Sequence, residues 1–143
     1  MTLEKHEDRV VRQARRDLME TQPNPDPSHD YLSTLSCQTT PTRAAPLQLQ
    51  IRYVPDRLIV TQAALDHYLS AFNGLPIETA EHAALTLLED VNDVLIPRWI
   101  EISVTVLHSS PEGNHLPFSH AVTVEDRQPG WDNSRLIARL GSI

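Results

Sequence analysis

The sequence predicts an α+β fold built on a small antiparallel sheet. Residues 47–53 alternate apolar and polar side chains, as a half-buried strand does, and residues 100–106 alternate in the same way. Between them, residues 62–96 place apolar side chains at the spacing of two amphipathic helices. Because sequential strands usually pair, the simplest arrangement is a ββααββ unit: a four-stranded antiparallel sheet with both helices on one face.

The N-terminal part of the chain differs in composition from the rest. It is rich in charged residues, and it has apolar residues at helical spacing: Val10, Val11, Ala14 and Leu18. Three prolines within residues 23–27 exclude a regular helix or a central strand there. We therefore predict a charged helix with a proline-rich arm over residues 1–30 and one folded domain over residues 31–143.

The first half of the folded domain predicts two strands and a helix. Residues 31–37 are compatible with a further short strand, whereas 47–53 is the first clear one. Residues 58–60 form the second strand of the predicted four-stranded sheet. Thr61 is a suitable N-cap for the first helix, and Asn73-Gly74 ends it.

The second half predicts a helix, two strands and a short final helix. The second helix starts near Glu78, and Pro97 ends it. The long strand 100–106 follows, and residues 118–124 form the fourth strand. Ser134 is a candidate cap for the last helix. The acidic residues of the second helix, Glu89, Asp90 and Asp93, predict a solvated face.

Composition limits the classes of function. The chain has 143 residues, 40% of them apolar, and a net charge of -7, so we expect one domain that does not bind nucleic acid directly. No apolar run is long enough for a membrane span. Cys37 is the single cysteine, which excludes an internal disulfide and favours a reducing, cytoplasmic location.

One face of the predicted sheet is polar, and its edges are open. The polar residues on this face are Gln48, Gln50, Arg52, Glu101, Ser103 and Thr105. Such residues suit a wet face or the lumen of a barrel. Because exposed strand edges are normally covered or paired, we predict a homo-oligomer that assembles edge to edge into a ring.

Two motifs resemble a known family. The turn Tyr53-Val54-Pro55-Asp56 and the step Pro97-Arg98-Trp99 are similar to those of the queuosine-pathway nitrile reductases, the 7-cyano-7-deazaguanine reductase family of the tunnelling fold (T-fold). Leu65 and Tyr68 match the helix motif between them. The similar stretch runs from about residue 35 to residue 111.

The resemblance implies a reaction and its site. Cys37 would attack the nitrile of 7-cyano-7-deazaguanine to form a covalent thioimide, and Glu81 would bind the guanine-like edge of this substrate. NADPH would supply two hydrides. The family belongs to queuosine biosynthesis, a tRNA modification pathway, and T-fold proteins are known for assembling edge to edge into rings.

Several family positions carry different residues here. The helix motif of the family has a glutamate and two lysines, which are replaced here by Thr61, Ala63 and Asp66. In the family, the two lysines would meet the phosphates of NADPH. The histidine that precedes the family's substrate-binding glutamate is Ala80. The family's proton-donor aspartate has no counterpart, because residues 38–47 contain no acid.

The candidate residues have structural alternatives. Cys37 is either a nucleophile, with a pKa lowered by a cation such as Arg43 or by a helix start, or a small buried apolar residue. Glu81 is expected on the apolar side of its helix, where a carboxylate either binds a ligand or reaches out at the edge of the stripe. Three histidines match no zinc signature, so no metal site is expected: His108, His115 and His120.

Two further functions remain open beside the reductase. One is a diverged T-fold protein that binds a deazapurine or pterin, or a partner subunit, without NADPH chemistry. The other is a structural module with no small-molecule site.

Overall fold

The structure is a computed structural model that describes residues 8–107 and 119–140. Its elements in chain order are α1 (Arg9–Asp17), β1 (Thr21–Pro23), β2 (Ser33–Thr39), β3 (Leu47–Val54), β4 (Leu58–Val60), α2 (Gln62–Phe72), α3 (Ala80–Leu95), β5 (Trp99–Val106), β6 (His120–Arg127) and α4 (Ser134–Leu140). The predicted α+β class is therefore confirmed. Within the described ranges, no helix has both the length and the apolar character to cross a membrane.

A four-stranded antiparallel sheet in the order β2-β3-β5-β6 forms the centre of the fold. Its two middle strands pair along their whole length, with Ile51 opposite Ile102. Every second side chain of these strands is buried against α2 and α3, which cover one face of the sheet. Burial of this alternating set is the main apolar contribution to the fold.

The predicted role of residues 58–60 in this sheet is wrong. Leu58–Val60 pairs with β1 in a separate two-stranded sheet. The place beside β3 is taken by β2, which pairs with it over seven residues. The physical reason is length and pattern, because β2 turns both Leu35 and Cys37 toward the apolar core whereas β4 has only three residues.

Caps define the ends of the two central helices. The predicted cap of α2 is confirmed, since the hydroxyl oxygen of Thr61 accepts a hydrogen bond from the backbone N–H of Ala64 at 3.2 Å. Thr79 caps α3 through the N–H of His82. At the other end of α3, Ile96 adopts the left-handed conformation with φ 45° before Pro97.

The N-terminal helix packs with its charged face inward. Val10 is 75% exposed and Val11 is also exposed, whereas Arg15 is buried. Val10 and Val11 therefore do not belong to the packed face of this helix. Arg15 is buried because its guanidinium binds an acid of α3, which leaves the apolar side chains facing solvent.

Arg98 links the arm to the domain. Its guanidinium donates to the backbone oxygens of Pro27 and His29 and to the carboxylates of Asp30 and Asp56. These contacts join the two motif segments and tie residues 27–30 to them. The arm thus packs on the domain, and the proposed boundary at residue 30 stays a prediction.

Candidate functional site

Cys37 lies on β2, one edge strand of the sheet, directly opposite Leu49 of β3. Its side chain is half-buried and packs against the apolar core on the helix side. Burial, and after it the negative charge of Asp66, raises the pKa of the thiol. The lowered pKa that a nucleophile needs is therefore not found within a single chain.

Glu81 lies in the first turn of α3, and its predicted place on the apolar side is wrong. Its side chain is 57% exposed. Ala80, Ala83 and Ala84 form the buried side of this turn, and Glu81 follows Ala80 by one residue, about 100° round the helix. Leu85, one turn further on, is 52% exposed on the same side as Glu81.

A side-chain contact connects Glu81 to β6, the other edge strand. Its Oε2 lies 3.0 Å from Nε2 of His120, and both side chains are largely exposed. The pKa of Glu81 is lowered by its own backbone N–H and then by the hydrogen bond with His120. A carboxylate is therefore present there at neutral pH.

The two predicted site residues are associated with opposite edges of the sheet, since Cys37 lies on β2 and Glu81 of α3 contacts β6. Cys37 is in register with Leu49, Val104 and Val122 across the four strands. Three strand spacings separate the two edges, which is about 14 Å. One chain therefore does not bring Cys37 and Glu81 together, although both lie on the helix side.

The buried acid of α3 is Asp90, which the sequence analysis placed on a solvated face. This prediction is wrong, since Asp90 is fully buried. Its carboxylate accepts hydrogen bonds from Nε of Arg15 and Nε of Arg16, both at 2.7 Å, and from the hydroxyl of Tyr68. Burial raises the pKa of Asp90, but the bonds from Arg15, Tyr68 and Arg16 outweigh burial and leave it lowered.

A signal for Asp90 was present in the sequence. The buried stripe of α3 includes Leu87 and Val91, and position 90 follows Leu87 by three residues, so it belongs to the same stripe. The arginines of α1 then supply partners for a buried acid. What the sequence could not show is that α1 folds back onto this part of α3.

The first positions of the helix motif, Thr61 and Ala63, line a cleft. The cleft has a volume of about 440 Å³ and separates the N-terminal turns of α2 from the segment that joins α1 to β1. Its lining residues are Leu18, Glu20, Thr21, Gln22, Thr61, Ala63, Ala64 and His67. Two positions where the family motif has a charged residue, Thr61 and Ala63, therefore lie opposite the arm.

Of the three histidines considered for a metal, only His120 belongs to the described residues. His108 and His115 lie outside them. Over residues 8–107 and 119–140, no three His, Cys, Asp or Glu side chains converge in a way that could hold a metal ion.

Comparison with known proteins finds relatives that share a name, and it finds solved structures with a similar fold. No protein-family model matches the chain. The crystal structure of the apo form of the archaeosine synthase QueF-Like aligns with a TM-score of 0.55 over 66% of this chain and 91% of that one. At 16% identity, this likeness concerns the fold alone.

Several similar proteins carry the name NADPH-dependent 7-cyano-7-deazaguanine reductase. The protein from Syntrophus aciditrophicus is 31% identical over 119 residues, which cover 79% of this chain and 80% of that protein. The protein from Aquifex aeolicus is 31% identical over 102 residues, 67% of this chain and 76% of its own length. The chain therefore belongs to the 7-cyano-7-deazaguanine reductase family.

Proposed function

We propose that this protein binds 7-cyano-7-deazaguanine, or a close deazapurine relative, and holds it as a thioimide on Cys37. Membership of the family supports the class of substrate. The observation that carries the proposal is the placement of Cys37 and Glu81 at opposite edges of one sheet, both on the helix side. In this arrangement, each copy supplies one half of a site at either edge.

A second copy paired edge to edge would complete the site. β2 and β6 run in opposite directions, so β2 of one copy can lie beside β6 of the next and continue the antiparallel order. Cys37 is in register with Val122, two residues or about 7 Å along the strand from His120. The same contact would cover the edges and the exposed Leu85.

The proposed chemistry is an addition that needs no reductant. The sulfur of Cys37 adds to the nitrile carbon, so that one sulfur–carbon bond forms and one π bond of the nitrile breaks. The proton of the thiol passes to the nitrogen. Glu81, as a carboxylate, accepts the N–H donors of the aminopyrimidine edge in charge-assisted hydrogen bonds.

Intact-mass spectrometry of the purified protein with 7-cyano-7-deazaguanine tests the covalent step. We expect a mass gain equal to that of the substrate. Because Cys37 is the single cysteine, Cys37→Ala should abolish the gain. A gain that persists in this variant, or no gain in the unaltered protein, would contradict the proposal.

Mixing two inactive variants tests whether the site is shared between copies. Cys37→Ala retains Glu81, and Glu81→Gln retains Cys37. If each site combines these residues from two copies, random co-assembly restores about a quarter of the sites. If both residues act within one copy, mixing restores no adduct.

A second candidate function is binding without covalent chemistry. The raised pKa of Cys37 supports it, as does the lack of an acid in residues 38–47. The ligand would again be a deazapurine or pterin held by Glu81. Calorimetry separates the two candidates, because here Glu81→Gln would lose binding whereas Cys37→Ala would keep it.

A further inference from the structure

The relatives are named as NADPH-dependent, so the residues of this chain can be compared with what NADPH needs. NADPH carries a diphosphate and a further phosphate, and proteins hold such groups with cationic side chains and backbone N–H groups. The cleft between the arm and α2 has no lysine or arginine among its lining residues. Glu20 adds a negative charge on the arm side of this cleft.

The positions on α2 are unsuited to phosphate as well. The hydroxyl oxygen of Thr61 already caps the helix, and the side chain of Ala63 has no donor. Asp66, one turn further on, is exposed and would repel a phosphate. A helix start can attract an anion, but here the segment 18–22 of the same chain lies across the cleft from it.

A second cavity near α1 does not supply the positive charge that the cleft beside α2 lacks. It is about 490 Å³ and is lined by Arg12 and Arg16 together with Glu89 and Asp93. Arg16 already pairs with the carboxylates of Asp90 and Asp93. The positive charge of this cavity is therefore balanced by acids of α3.

From this disagreement we infer that the protein does not bind NADPH on α2, because the arm lies across the cleft from the helix start and α2 offers no lysine or arginine to the phosphates. The inference goes beyond the proposed function, since the thioimide forms without a reductant. A member of the family with this surface would stop at binding or covalent capture of the nitrile. The arm residues 18–22 would then be a fixed wall of the cleft.

Isothermal titration calorimetry of NADPH into the full-length protein tests the inference. We expect no saturable heat up to a concentration on the order of 1 mM. Saturable binding within that range would overturn the inference. The adduct experiment uses no NADPH, so failure of the proposed function and failure of this inference are separate results.

A gain-of-function pair tests the charge argument. Ala63→Lys with Asp66→Lys raises the net charge by three, and so does the control pair Ser70→Lys with Glu78→Lys, at exposed positions that do not line the cleft. We expect the first pair to bind NADPH at least about tenfold more tightly than the control, and more tightly than it binds NADH. Equal affinities in the two pairs would contradict the argument.

Discussion

Asp90 and Glu81 are two carboxylates of the same helix in opposite surroundings. Asp90 is fully buried and receives hydrogen bonds from two arginines and a tyrosine of its own chain. Glu81 is exposed beside the sheet edge, and its carboxylate interacts with its own backbone N–H and with His120. A buried charge must find all its partners within the fold, whereas an exposed carboxylate at an open edge retains acceptor capacity for a ligand.

The comparison assigns different roles to the two ends of α3. At Asp90, the ion pairs hold α1 against α3 and the hydroxyl of Tyr68 adds a link to α2, so loss of the carboxylate should affect folding. At Glu81, the surroundings suit recognition, so its loss should affect binding. Variants that change the free energy of unfolding without changing ligand binding, or the reverse, therefore test whether the two ends differ in this way.

Removing the buried carboxylate should have the largest effect. Asp90→Ala leaves the guanidinium of Arg16 and the hydroxyl of Tyr68 without their main acceptor, and we expect the free energy of unfolding to fall by about 3–5 kcal/mol. Urea denaturation measures it. The control is Asp93→Ala, whose carboxylate is 51% exposed and makes one 3.3 Å contact, with an expected loss under about 1 kcal/mol. If the two variants lost equal free energy of unfolding, burial would not distinguish Asp90 from an exposed acid of the same helix.

Loss of the Arg98 side chain should come next. This guanidinium donates to two backbone oxygens and two carboxylates, and Arg98→Ala should lower the free energy of unfolding by about 1.5–3 kcal/mol. Limited proteolysis should also cut residues 24–30 faster than in the unaltered protein. Arg57→Ala, at an exposed position, is the control and should change neither measurement.

Acid should weaken the buried region in a defined way. Because the pKa of Asp90 is lowered in the folded protein, the unfolded chain takes up this proton first as the pH falls. The stabilisation from the Asp90 carboxylate is therefore complete above the unfolded pKa of about 4 and is lost as the pH falls through the folded value. The groups facing Asp90 are Arg15, Arg16 and Tyr68, and the two arginines stay charged throughout. The stability difference between the unaltered protein and Asp90→Asn should be constant above about pH 5 and shrink below pH 4. Urea titrations at several pH values measure this difference. A difference that does not change with pH would contradict the prediction.

The sequence carried enough information for the sheet and the helices but not for every pairing. Alternation in 47–53 and 100–106 predicts the two central strands because one face of each strand is buried, so that every second side chain is apolar. The edge strand β2 and the short strand β4 have weaker patterns, and only tertiary contact decides which of them joins the sheet. Local periodicity contains no information about that choice.

The positions of the candidate site residues could be predicted from the sequence, but their surroundings could not. The family motifs point to Cys37 and Glu81 by position, but burial depends on which side of the helix faces the core. The buried stripe of α3 runs through Ala80, Ala83, Ala84 and Leu87, so Glu81 lies beside this stripe and faces solvent. The Asp90 cluster joins residues far apart in sequence, so periodicity could suggest its burial but not its partners.

Replacing the exposed carboxylate should have the smallest effect on folding and a specific effect on recognition. Glu81→Gln removes a negative charge from an exposed pair with His120, so we expect thermal unfolding to match that of the unaltered protein. Calorimetry with 7-cyano-7-deazaguanine should show weaker binding, because an amide cannot accept N–H donors with the strength of a carboxylate. Glu78→Gln, also exposed and just before α3, is the matched control and should bind normally. If both variants bind normally, the edge at Glu81 is not a recognition site, and the contrast with Asp90 reduces to burial alone.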